Sequence, residues 1–140
     1  MIKTQINFKM TTNIPQKFSQ SALYEKAMEI FNLSRNISHY LAEDFANLSE
    51  NGKENAYIYF SGDIVQQSVS LAPEILKAES ELFSEGKFKY AASVSRLTNL
   101  LYKNCERLER TQSNGKDFLP LLRKEIKKFR KLQRIWLLTL

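Results

Sequence analysis

The chain of 140 residues is 43% hydrophobic and 26% charged, with a formal net charge of +6. That profile fits one ordinary globular domain with a core large enough to fold alone. Only four Gly and three Pro occur, so few, long elements are expected. Cys105 is the only cysteine, which excludes an intrachain disulfide and makes a reducing, cytoplasmic setting the expectation. The opening "MIKTQINFKM" lacks the apolar run of a secretory signal. No window approaches the roughly 18 apolar residues of a spanning helix, so no membrane partner is expected.

In chain order, residues 1–18 come first and differ from the rest. Ile2, Thr4, Ile6, Phe8 and Met10 alternate with Lys3, Gln5, Asn7 and Lys9, the period of a strand. A lone strand is unstable and no second strand candidate follows. This extended arm therefore pairs with another copy, lies along the rest of the chain, or stays mobile. In the first case Ile6 and Phe8 belong to an oligomer contact.

Residues 19–140 are expected to be all-α, an antiparallel up-and-down four-helix bundle. Gly52 in "SENGKEN", Gly86 in "SEGKF" and Gly115 in "QSNGKD" are turn signals that cut it into four segments. Each segment carries apolar positions at steps of three and four. The first has Leu23, Ala27, Ile30, Ser34, Ile37, Leu41, Phe45 and Leu48. The second has Tyr57, Phe60, Ile64, Ser68, Leu71, Ile75, Ala78 and Leu82. The third has Tyr90, Val94, Leu97, Leu101, Cys105 and Leu108, and the fourth Leu119, Leu122, Ile126, Phe129, Gln133, Trp136 and Leu140. Helices of roughly 24–30 residues, about 36–45 Å, joined by short loops favour antiparallel neighbours. Pro73 removes one backbone donor inside the second helix and predicts a kink there. Gly62 marks either a close approach or the helix start. Asp117 is the expected N-cap of the fourth helix, with Pro120 harmless in its first turn.

Charge is unevenly spread. Residues 54–86 hold one Lys and six acids, residues 87–110 six bases and two acids, and residues 117–140 seven bases and two acids. On the third helix Lys89, Arg96, Lys103 and Arg110 repeat every seven residues and form one stripe. On the fourth, Arg123, Lys127, Arg130 and Arg134 share a face opposite its apolar residues. Two readings stand side by side. In one, these are solvated faces, balanced by the acidic second helix. In the other, the stripes merge into a phosphate-binding surface. A membrane-facing role is disfavoured, because the apolar side of the fourth helix is needed for the core.

Sites for chemistry are scarce. With His39 and Cys105 alone of their kinds, zinc or a di-iron Glu-x-x-His pair is not expected. Neither a GxxxxGK nor a GxGxxG loop occurs. No enzyme activity, metal or cofactor is expected. The tail "RIWLLTL" places Trp136 in the core but sets Ile135 and Leu138 on the basic side, where a contact with another subunit would cover them.

The segments "ALYEKAMEIFNLSRNI", "QQSVSLAPEIL", "FKYAASVSRLTNLLYKNCERL" and "FRKLQRIW" resemble bacterial four-helix-bundle proteins encoded within intervening sequences of large-subunit ribosomal RNA. They also resemble the related accessory variability determinant proteins of diversity-generating retroelements. The resemblance spans about residues 21–137 and implies a basic, ring-shaped homo-oligomer, often a pentamer, without a catalytic site. The second group binds nucleic acid and a reverse transcriptase. Lys89, Arg96, Lys103, Arg123, Lys127, Arg130 and Arg134 would then be the phosphate contacts. The alternatives are a helical adaptor for a protein partner, or a bundle whose only activity is self-assembly.

Overall fold

The structure, a computed structural model, describes residues 21–45, 57–111 and 114–140. The expectations for the 1–18 arm, for Ile6 and Phe8, and for the turn at Gly52 lie outside the described residues. Five α-helices follow in order: α1 (Ala22–Phe45), α2 (Tyr57–Val69), α3 (Leu71–Ser80), α4 (Ser84–Leu108) and α5 (Leu119–Leu137), with a short 3-10 turn (Asn114–Phe118) before the last. Helices α2 and α3 together make the second arm of a four-helix bundle. α1 packs on α2, α2 and α3 on α4, and α5 on both α1 and α4. No strand occurs among the described residues.

Two helices carry the predicted phase throughout their described length. On α1, Leu23, Ala27, Ile30, Ser34, Ile37, Leu41 and Phe45 are buried. On α5, Leu119, Leu122, Ile126, Phe129, Gln133 and Trp136 are buried. Each large apolar side chain so buried contributes about 1.5–3 kcal/mol of transfer free energy. Ser21 caps α1, its Oγ accepting from the Tyr24 amide at 3.1 Å.

The second segment is broken where Pro73 demanded it. Pro73 has no N–H for the Val69 carbonyl, and the helix is interrupted at Ser70. At the break the Ser70 hydroxyl donates to the Gln66 carbonyl at 2.9 Å. The break opens a shallow apolar groove of about 220 Å³ against α1, lined by Tyr24, Met28, Phe31, Val69, Pro73 and Leu76.

Four local expectations need correction. The reversal after α3 falls at residues 81–83, not at Gly86, which lies in the first turn of α4. The Glu81 side chain folds over the helix start beside Gly86, where a Cβ would displace its carboxylate. Leu82, assigned to the apolar face, lies beyond the end of α3 and is 86% exposed. Gly62 neither starts a helix nor admits a neighbour. It is inside α2, and a Cβ there would meet nothing within 4 Å. Asp117 does not cap α5; it is exposed within the 3-10 turn, and Phe118 holds the N-cap position without a side-chain bond. Gly115, in contrast, is a close approach, with a hypothetical Cβ 3.0 Å from Leu41 Cδ2 and its amide donating to Asp44 Oδ2 at 3.2 Å.

On α4 the core stripe is wider than the apolar pattern indicated. Ser93, Thr98 and Asn104 are buried beside Val94, Leu101, Cys105 and Leu108. Each finds a partner: Ser93 donates to Glu74 Oε1 at 2.9 Å, Thr98 to the Val94 carbonyl at 2.7 Å, and Asn104 to Gln67 Oε1 at 3.0 Å. The Ser93 and Asn104 bonds join α4 to α3 and α2, while that of Thr98 stays within α4; a buried polar group so paired avoids the 1–3 kcal/mol or so that an orphan costs.

Opposite them, Lys26 of α1 bonds Glu125 of α5 at 2.7 Å. The hydrogen bond from Lys26 holds the Glu125 carboxyl below its ordinary value, and bonds to Glu125 and Glu29 hold Lys26 above its own. The contribution of Glu125 is therefore present above the pKa of the unfolded carboxyl and is lost as pH falls through the lower folded value. That of Lys26 is present below the unfolded ammonium pKa and is lost as pH rises through the higher folded one.

Trp136 anchors the far end of α5. It is 4% exposed, and its Nε1 donates to Glu79 Oε2 of α3 at 2.9 Å. Trp136→Ala is expected to cost roughly 3–5 kcal/mol in denaturant melts. A loss below about 1 kcal/mol would contradict this packing.

Candidate nucleic-acid interface

Because α5 turns six residues into the core, its seven bases must face outward or sideways toward α4. Arg123, Arg130 and Arg134 lean to the α4 side. Lys124, Lys127 and Lys131 are exposed on the solvent side. The seam between α4 and α5 is therefore where the cationic residues meet fixed partners.

The predicted phosphate contacts do not share one state. At the upper end of the seam, Arg123 is committed: its Nε and Nη2 donate to Glu109 Oε2 and Oε1 at 2.5 and 2.9 Å, a bidentate pair. The Glu109 bonds push the guanidinium pKa further up, so its charge is permanent but already matched. Two turns lower, Arg130 lies over the Tyr102 ring at 4.7 Å and donates to Asn99 Oδ1 at 3.0 Å. Arg134 and Lys127 are exposed. On α4, Lys103 is exposed, Lys89 sits over the Tyr90 ring at 5.5 Å, and Arg96 donates to Ser93 Oγ at 3.3 Å. Arg96 thus turns toward α3, where Ser93 also meets Glu74. Arg107 does likewise toward α2, over the Phe60 ring at 5.2 Å.

Between the two basic stripes runs a groove of about 270 Å³, lined by Ser95, Asn99, Arg130, Gln133, Arg134 and Leu137. Gln133, buried on the core side of α5, donates to Ser95 Oγ at 2.7 Å. None of the six is acidic. Sequence reasoning passed over Ser95 and Asn99, and named Gln133 only as a position on the core face. The available signal was Ser95, Asn99 and Tyr102 at steps of four and three, a polar line beside the apolar stripe of α4.

The predicted oligomer residues Ile135 and Leu138 are 63% and 86% exposed. The antiparallel topology puts them at the same end of the bundle as Leu82, Phe83 and Phe88, all exposed. A shallow apolar groove of about 210 Å³ between α1 and α5 opens there, lined by Leu23, Leu132, Ile135 and Trp136 among others. At the opposite end, Tyr40 and Phe118 stack at 5.6 Å, both exposed, near exposed Leu121.

No cluster of three or more metal-ligating side chains stands among the described residues. His39 is exposed on α1, 3.6 Å from Glu43. None of the described helices is long and apolar enough to cross a membrane. These features define the class as an all-α four-helix bundle with a basic α4–α5 face. No protein-family model, curated protein or solved structure matches the chain.

Cys105 is fully buried, and desolvation, with help from Glu109, pushes its thiol pKa from 9.0 up to about 12. The unfolded chain ionises first, so this residue subtracts stability as pH rises from about 9 toward 12. At pH 8 the native protein should give no reaction with a disulfide reagent, and one thiol per chain once denatured. Rapid labelling of the folded protein would contradict the burial.

Proposed function

We propose that this protein is a non-enzymatic, basic helical bundle that assembles as a homo-oligomer and binds RNA or DNA through phosphate contacts. One observation carries the reading: the lower α4–α5 face offers Arg130 and Arg134 in a groove whose lining contains no carboxylate, with Lys127 and Lys131 exposed on the same helix. Such a field attracts a polyanion irrespective of sequence and releases counterions on binding. Arg123 contributes least, because Glu109 already matches it. The resemblance to the accessory variability determinant group supports the same role, as an accessory factor to a reverse transcriptase. Exposed Ile135 and Leu138, with Leu82, Phe83 and Phe88 at the same end, support assembly into a ring such as a pentamer.

A second reading, a helical adaptor for a protein partner, is favoured by the exposed Tyr40–Phe118 stack beside Leu121. It leaves the basic face merely solvated.

Lys127, Arg130 and Arg134 replaced together by Gln keep helix propensity and spare the Arg123–Glu109 pair. Wild-type affinity for generic RNA or DNA should fall with salt, and the triple variant should lose about 0.7–0.9 of log–log slope per contact, roughly 2–3 in all. An anisotropy titration at two salt concentrations measures this; equal binding by the variant would remove the reading. Light scattering at micromolar concentration should give a mass several times 16.3 kDa. A monomer would remove the assembly claim while leaving the nucleic-acid claim to its own test.

A further inference from the structure

We propose that the α4–α5 groove is a seat for one phosphate oxyanion, not merely part of a diffuse basic field. The proposal deepens the nucleic-acid reading and rests on it for the carrier of the phosphate, a phosphodiester of the bound strand.

The argument is a count of donors and acceptors. The oxygen of Asn99 already accepts from Arg130 at 3.0 Å, and that of Ser95 from Gln133 at 2.7 Å. What these two side chains still offer is the Asn99 Nδ2 amide and the Ser95 hydroxyl proton. To them are added the unused N–H groups of Arg130 and the whole guanidinium of Arg134. The lining holds no carboxylate to compete. Donors therefore come from both walls, two from α4 and two from α5, onto a space of about 270 Å³. A tetrahedral oxyanion, with acceptor lone pairs in several directions, matches that arrangement.

Three of the seat's four donor residues, Arg130, Asn99 and Ser95, are also organised in advance. Arg130 is held twice, by the Tyr102 ring at 4.7 Å and by Asn99. Ser95 is oriented by Gln133, which is itself 7% exposed and fixed by the core. Groups already ordered lose little side-chain freedom on binding. The solvent-side Lys124, Lys127 and Lys131 have no such restraint and act as point charges.

The two models differ in what neutral residues do. Asn99→Ala and Ser95→Ala leave the net charge unchanged, so a diffuse field predicts unchanged affinity. The seat predicts about tenfold weaker binding of a single-stranded oligonucleotide for each, the share of one hydrogen bond to a charged group. Asn99 is exposed and Ser95 half-buried; thermal melts of both variants establish that the bundle is intact. In parallel, inorganic phosphate is titrated into the labelled full-length protein while the Asn99 and Gln133 side-chain amide resonances and the arginine Nε resonances are followed. Weakened oligonucleotide binding by both variants, with phosphate-induced shifts confined to these groups, supports the proposal. Phosphate shifts without oligonucleotide binding by the wild type support the seat, with free phosphate as its ligand, and overturn the nucleic-acid reading. Wild-type oligonucleotide binding that both neutral variants retain, with the resonances unmoved by phosphate, overturns the seat and leaves the diffuse field. No response to either probe overturns both.

Discussion

Burial of one side of α5 is the constraint on which the charged surface depends. Leu119, Leu122, Ile126, Phe129 and Trp136 close the bundle against α1 and α4. With that side spent, no rotation of the helix can hide its seven bases. They divide between open solvent and the α4 seam, where hydrogen bonds and stacking hold Arg123 and Arg130, while Lys128 pairs with Glu125 of its own helix. The basic face is thus a by-product of core formation, and its fine structure is set by what α4 places opposite.

What α4 places opposite varies along the seam. At the top, Glu109 matches Arg123 and leaves no net charge for a ligand. Lower down the facing residues are Tyr102, Asn99 and Ser95, which orient cations without neutralising them. The bases on the far side of α4 meet a different partner. Arg96 reaches Ser93, which is already bonded to Glu74 of the acidic α3. The Ser93 hydroxyl thus links a base of the third segment to a carboxylate of the second.

The bundle and the phases of α1 and α5 were legible in the sequence because a single-faced helix writes its burial directly into spacing. The break at Ser70 was legible because Pro73 lacks a donor whatever its surroundings. The misplaced features depend on tertiary neighbours. Gly86 falls inside α4 because the chain already reverses at residues 81–83, and Leu82 loses its apolar role because the chain leaves α3 before it. Of the candidate site, the cationic residues could be named from their stripes. That Arg123 is matched by a carboxylate fourteen positions away, while Arg130 is merely oriented, is a property of two helices in contact and of neither alone.

Gln133 occupies a position that spacing assigns to an apolar residue, and its amide meets Ser95 across the helix pair. An apolar side chain there would tolerate α5 sliding along α4, since one greasy layer packs on another at several offsets. A buried amide does not: a shift of one turn would carry it away from its hydroxyl and leave it unpaired, at a cost of about 1–3 kcal/mol. A lone polar residue in a coiled-coil seam fixes alignment by the same penalty. Gln133 is thus an axial ruler for the fourth helix, setting the height at which Arg130 meets Tyr102 and Arg123 meets Glu109.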